Sequence, residues 1–231
     1  MSVNIIKIDD QTWRIEDEFV YYYLLAGEKK ALLIDSGMTQ PNVNEIISEL
    51  TDLPVTLVNT HGDGDHVGGN GSFDGYYIHP EDYVKNGLKQ RFADIKQYNL
   101  AEGDSFDLGN RTLKVIEIPG HTYGSVAFLD VENRVIYGGD TVQDGIIYMF
   151  GPHRCPDQLK GSLEKLIALC DSYDIIRPAH GTPELAKNYA EFVLEDWDAV
   201  LNGELDGVDE ELFGNPVKTC RGKHCGFYIQ R

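Results

Sequence analysis

The chain has 231 residues, 42% of them apolar, and 38 acidic against 20 basic side chains give it a formal charge of −18. That charge argues against nucleic acid and anionic membranes as partners, since both are held by basic residues that displace counterions. No run approaches the roughly 20 apolar residues that cross a bilayer, and Met1 to Lys7 lack the basic-then-apolar profile of an export signal, so a cytoplasmic protein acting on a small molecule is expected.

The predicted elements begin with short β-branched and aromatic runs at Trp13 to Glu16, Phe19 to Leu25 and Ala31 to Asp35, separated by Glu, Asp, Gly and Lys turns. Behind Pro41, the residues Val43, Ile46, Ile47 and Leu50 recur at helical spacing and predict an amphipathic helix. Val55 to Val58 reads as a buried strand, and residues 80–100 carry no regular pattern. Strands return at Thr112 to Ile118, Ser125 to Leu129 and Arg134 to Tyr137. A second helical stripe holds Leu159, Leu163, Leu166, Ile167 and Cys170, followed by a strand from Asp174 to Arg177. Thr182 and Pro183 are the expected opening of a third helix carrying Leu185, Tyr189, Phe192, Val193, Trp197 and Val200.

Strand runs that end in helices, twice over, predict an α/β (α+β) fold of two mixed sheets faced by outer helices. Residues 1–202 are expected to form the domain and residues 203–231 a C-terminal extension of it, with a last strand at Gly226 to Gln230. That tail either covers the site or exchanges between subunits of a homodimer. The four cysteines form no convincing framework: Cys155 and Cys170 stand alone, with Cys170 expected in the core. Cys220, His224 and Cys225 crowd together without the fourth ligand of a structural zinc, so free thiols are expected.

The most informative segment runs from Asn59 to Gly69, Asn-Thr-His-Gly-Asp-Gly-Asp-His-Val-Gly-Gly, directly after an apolar strand. It puts His61, Asp63, Asp65 and His66 within six residues. Imidazoles and carboxylates so crowded repel or compete for protons unless a cation lies between them, and this ligand set suits zinc, iron or manganese. Three further apolar strands run into small-residue turns that present a ligand-type side chain: Pro119-Gly120-His121-Thr122-Tyr123, Gly138-Gly139-Asp140 and Pro178-Ala179-His180-Gly181. Strand ends hold ligands rigidly, and neighbouring glycines admit close approach.

From about Asp35 to His180, this ordered set of loops resembles the metallo-β-lactamase fold superfamily of metallohydrolases. The resemblance implies a four-layer αββα sandwich and two divalent metal ions, zinc first, with iron or manganese as alternatives. It implies His61 and His121 as ligands of one metal, Asp65, His66 and His180 of the other, and Asp140 between them. Asp35-Ser36-Gly37 matches an element that supports the site from below. The chain departs from the pattern at Asp63, where the family has its second histidine and an oxygen-reducing branch has a glutamate. Asp63 as a ligand, a single metal at Asp65, His66 and His180, and an inactive site all stay open. An anionic ligand there lowers Lewis acidity and favours harder ions.

The chemistry so implied is attack of a metal-bound hydroxide on an ester, thioester or lactone carbonyl, with Asp65 orienting the hydroxide and Tyr123 a candidate proton donor. The Pro-Gly-His-Thr-x-Gly-Ser turn is similar to that of glyoxalase II-type thioesterases. Those enzymes carry a further helical domain for glutathione recognition where 51 residues follow His180 here, so the substrate stays open. The alternatives are a non-haem iron redox enzyme, motivated by Asp63, and a non-catalytic metal-binding module. Tyr148, Phe150, His153 and Arg154, in the tract after Asp140, are the candidates for substrate recognition.

Overall fold

The computed structural model describes residues 3–231. β1 (Asn4–Asp9), β2 (Thr12–Asp17), β3 (Val20–Ala26) and β4 (Ala31–Ile34) form an antiparallel meander. α1 (Val43–Ser48) crosses one face so that β5 (Val55–Val58) returns parallel to β4. β6 (Gly75–Ile78), α2 (Pro80–Lys85), α3 (Leu88–Arg91) and β7 (Lys96–Asn99) then complete a sheet of seven strands in chain order among the described residues. The segment 80–100, unpatterned in sequence, thus holds two short helices and an edge strand, each too short to show a period.

β8 (Ser105–Asp107), β9 (Thr112–Glu117), β10 (Val126–Asp130) and β11 (Val135–Gly139) form a second meander. β12 (Ile146–Met149) leaves it, α4 (Pro156–Ala168) crosses over, and β13 (Ile175–Pro178) re-enters parallel to β11, flanked by β14 (Leu185–Ala186). α5 (Tyr189–Leu201) packs beside α4, and β15 (Val208–Leu212), β16 (Asn215–Arg221) and β17 (Gly226–Gln230) join β12 in a third, four-stranded sheet.

Side-chain alternation along the strands makes this a four-layer sandwich. On β3, Tyr23 and Leu25 face inward, meeting Val115, Phe128 and Tyr137 of the second sheet in a core between the sheets. Tyr22 and Leu24 face outward onto Val43 and Ile47 of α1 and onto Leu88 and Phe92. Ile116, Ala127 and Ile136 of the second sheet face Leu159, Leu163 and Leu166 of α4 and Val193 and Trp197 of α5. Because β9, β11 and β13 point the same way, their ligand-bearing turns emerge along one edge of the sandwich.

Several local expectations change. Phe19 lies outside β3 and is exposed, and Cys170 lies past the end of α4 and is half-buried. The third helix begins at Tyr189, not Thr182, because Leu185 and Ala186 pair with Ile176 and Ile175 as a strand. Thr182 is held by Asp144, whose carboxylate accepts from both its backbone N–H and its hydroxyl. The two-sheet expectation also omitted the small third sheet. Its strand β12 lies in the tract read as pocket lining, and the tail pairs with it in parallel register, Ile147 opposite Phe227. No helix among the described residues is long and apolar enough to cross a membrane.

The tail is pinned by one buried carboxylate. Asp196 on α5 accepts from the backbone N–H groups of Lys223 at 2.9 Å, His224 at 2.7 Å and Cys225 at 2.9 Å. Substituting Asp196→Ala orphans three donors in a partly buried turn. The expected loss is about 3 kcal/mol of stability, read as a lower urea midpoint, with Asp196→Asn recovering part of it.

Candidate metal centre

Each of the four histidines at this edge is oriented by what its Nδ1 reaches. His121 Nδ1 donates to the Tyr148 carbonyl at 3.0 Å, and His180 Nδ1 to the Phe19 carbonyl at 2.8 Å. His66 Nδ1 lies 2.9 Å from Asp35 Oδ2. The Thr60 hydroxyl donates to the same carboxylate oxygen at 2.7 Å, so it accepts from His61 Nδ1 at 3.0 Å. A carbonyl or carboxylate oxygen can only accept, which places the proton on Nδ1 and turns a bare Nε2 inward. Outer partners of this kind fix both tautomer and ring angle of metal-binding histidines.

Asp35 does this from a left-handed backbone conformation, φ 65°, which costs a non-glycine residue about 1 kcal/mol or more. Its carboxylate, buried and fixed by Thr60 and His66, holds it there. Gly139 is needed one residue before Asp140: its φ is +53°, and a Cβ would sit 2.9 Å from Thr60 Oγ1. A second buried carboxylate, Asp82 on α2, accepts from Gly62 N at 2.7 Å, Thr122 Oγ1 at 2.8 Å and Gly124 N at 2.7 Å. It ties the loop of His61 to the loop of His121. Sequence reading missed Asp82, because a lone Asp in an unpatterned segment carries no signal of what it will face.

The inward atoms form three overlapping groups, His61/Asp63/His121, His61/His66/Asp140 and Asp65/His66/His180, each with its donor atoms within 4.8 Å of one another. His121 Nε2 lies 3.3 Å from Asp63 Oδ2 and 3.2 Å from His61 Nε2. On the other side, Asp65 Oδ2 lies 3.4 Å from His180 Nε2 and 3.7 Å from His66 Nε2. Asp140 touches both sides, with Oδ1 3.2 Å from His66 and Oδ2 3.3 Å from His180 and 3.5 Å from His121. Donors about 2.1 Å from a tetrahedral ion stand about 3.4 Å apart, the spacing seen here. His66 Nε2 and Asp140 Oδ1 are buried without a hydrogen-bond partner, a costly arrangement unless a cation lies between them. The residues therefore fit divalent metal.

The two sides differ electrostatically. Burial disfavours a charge on His66 and His180, yet as long as no cation occupies the site the carboxylates Asp140 and Asp65 override it, raising His66 well above the usual imidazole range and His180 to about 10, a proton that a metal ion at Nε2 would displace. Burial lowers His121 to about 4, and the charge of Arg154 adds to that. Burial would likewise raise the Asp63 carboxyl, but the His121 and His61 rings and Arg154 hold it well below the usual carboxylate range. Arg154, expected to meet substrate, grips Asp63 through both terminal nitrogens, Nη1 to Oδ1 at 3.0 Å and Nη2 to Oδ2 at 2.5 Å. Asn86 Nδ2 donates to Oδ1 at 3.0 Å. The departure at Asp63 therefore comes with a cation of its own.

The other candidates divide. Tyr148 lines the adjoining cavity with Arg154, whereas Phe150, His153 and Tyr123 are not among its lining residues. The Tyr123 ring instead lies 3.9 Å beneath the Lys85 ammonium, away from the cavity wall where the sequence placed a proton donor, while the phenols lining the cavity are Tyr148 and Tyr228. Phe150 packs on Tyr148 and Tyr228. Cys220, His224 and Cys225 form no metal group among the described residues; both thiols are buried, and His224 stacks on Phe192.

A profile described as the metallo-beta-lactamase superfamily matches residues 15–203. A hydroxyacylglutathione hydrolase of Nostoc punctiforme is 29% identical over 210 residues, covering 88% of this chain and 76% of the relative. An acyl-coenzyme A thioesterase of Homo sapiens is 24% identical over 188 residues, covering 64% of this chain and 67% of the relative. Against two other hydroxyacylglutathione hydrolases the chain spans only 49% and 59% of the relative's length. A solved metallo-beta-lactamase of Pontibacter korlensis superposes with a TM-score of 0.70, covering 85% of this chain and 99% of that one; at 17% identity it speaks for the fold alone.

Metal titration of the stripped protein is expected to show the Asp65/His66/His180 position filling before the His61/Asp63/His121 position, because Arg154 repels a second cation there. Arg154→Gln should tighten the weaker step by about tenfold and leave the stronger one unchanged. His121→Ala and His180→Ala assign the steps, and equal affinities in the parent and Arg154→Gln proteins would remove Arg154 from this account.

Proposed function

The chain belongs to the metallo-beta-lactamase superfamily, and from that membership we propose a metal-dependent hydrolase that cleaves thioesters of small-molecule acids. The observation that carries the reading is Asp140, buried with one oxygen toward His66 and the other toward His121 and His180. Such a carboxylate serves a pair of cations better than one. His61, Asp63 and His121 would hold the first ion and Asp65, His66 and His180 the second. When bound, the ions supply Lewis acidity and lower the pKa of water toward about 7, giving a nucleophile at neutral pH.

The chain's own residues supply position, charge balance and access. Asp65 lines the cavity with its carboxylate beside His180, where it can accept a proton from an incoming water. Asp63 and Arg154 form a neutral pair, so the carboxylate does not add a net negative charge where a carbonyl oxygen must become an oxyanion. A cavity of about 780 Å³ opens over these groups, the size of a small-molecule site. A thiolate, with a pKa near 8.5, departs without a strong general acid, which suits a centre whose nearer side chains are carboxylates and bare imidazole nitrogens. The relatives named for an acylglutathione and an acyl-coenzyme A point to the same bond class.

The test combines elemental analysis of protein purified without added metal with turnover of acyl thioesters, oxyesters, lactones and phosphodiesters. Thioester cleavage abolished by a chelator and restored by zinc is expected, with Asp65→Asn lowering kcat by about 100-fold or more. No thioester cleavage by metal-replete protein, or bound iron with oxygen uptake, would overturn the proposal.

A further inference from the structure

Beyond the metal centre, the cavity is built from two kinds of surface. Three of the seven large hydrophobic residues exposed among the described residues gather at its wall: Phe19, Met38 and Phe213, exposed by 59%, 37% and 80%. Tyr148, Ile146 and Tyr228 continue the apolar surface inward. Phe213 sits at the tip of the β15–β16 hairpin with φ 52°, a left-handed conformation rarely adopted by a bulky residue. A ring so exposed contributes little burial to the fold of the free chain. Apolar groups clustered this way mark a surface that a ligand covers.

The charged surface comes from two arginines. Arg154 is engaged by Asp63. Arg91, at the end of α3, has no carboxylate within ion-pair distance among the described residues. Its guanidinium rests over Phe92 at 5.1 Å and reaches the metal loop, with Nη1 3.8 Å from where a Cβ on Gly64 would stand. In a chain of charge −18, a cavity arginine without an acidic partner offers a site for an anion. Guanidinium matches a carboxylate in a planar, two-pronged fashion.

We propose that this cavity selects an amphipathic anion: the carboxylate of the ligand docks on Arg91 while its apolar arm lies against Phe213, Tyr228 and Met38, with the bond to be cleaved held over the metal centre between them. The inference rests on the thioester reading for the reacting bond, but not for the recognition. The arm needs contact area rather than a particular shape, since Phe213 and Met38 present exposed apolar surface instead of a closed pocket. The head needs charge, because Arg91 supplies no other distinction.

The experiment measures binding of a pair of uncleavable thioethers, S-benzyl-3-mercaptopropionate and its amide, to metal-replete protein by calorimetry. The parent protein should bind the carboxylate about five- to tenfold more tightly than the amide. Arg91→Met should remove that preference and Arg91→Glu should reverse it. Phe213→Asn, which keeps a residue tolerant of the left-handed turn, should weaken both compounds equally by about three- to tenfold. A carboxylate preference that survives in Arg91→Met would show the head bound to the metals instead and overturn the proposal, as would equal binding of both compounds by the parent. Selective binding without thioester cleavage would fail the function proposed above while leaving this subsite standing.

Discussion

Four imidazoles converge at one edge of the sandwich because each has committed its Nδ1 to a fixed oxygen. The oxygens come from a carboxylate, a hydroxyl and two backbone carbonyls, on Asp35, Thr60, Tyr148 and Phe19. Without them the rings would rotate, and the crowd of donor atoms would relax into separate hydrogen-bonded pairs. With them, Nε2 atoms and carboxylate oxygens are held close together in a buried place, an arrangement stable only around positive charge. The rest of the fold delivers these oxygens to the same edge.

The delivery depends on two sheets whose parallel segments end together. β4 and β5 carry Asp35 and the His61 to His66 loop, and β9, β11 and β13 carry His121, Asp140 and His180. The core between the sheets fixes their separation, and cross-sheet contacts set the final fit: Val126 N donates to the Thr60 carbonyl at 2.8 Å, and Tyr21 N to the Ala179 carbonyl at 2.7 Å. Asp82 closes the frame by joining the loops of His61 and His121. The small third sheet extends it outward, since β12 positions both the Tyr148 carbonyl and the wall on which Tyr228 and Phe213 stand.

Electrostatically, the centre is uneven. One side gathers Asp65 and Asp140 around His66 and His180, which pulls those rings toward the charged form. The other carries Asp63 and offsets it with Arg154. A carboxylate substituted for histidine would by itself strengthen cation binding and weaken Lewis acidity. The guanidinium fork works against both effects, so the pair returns that side near the charge a histidine would have given it. Residues 91 apart in sequence share one function in charge balance.

Much of this was legible in the chain. Short β-branched, aromatic and apolar runs located β2 to β5 and β9 to β11, helical spacing located α4, and the density of His and Asp after apolar runs marked the ligand loops, because strand ends and ligand chemistry are local properties. The start of α5 was not legible, because Leu185 is apolar in a helix stripe and in a strand alike, and pairing with β13 decided between them. Asp63 looked like an isolated departure, and Arg154 like a contact for substrate, since nothing local brings the two together. Asp82 and Phe213 carried no pattern at all. Local sequence determined which groups are able to bind a metal and which segments form strands; only the packing of two sheets and the tail upon them decided which charge meets which, because electrostatic partners are chosen by distance in space.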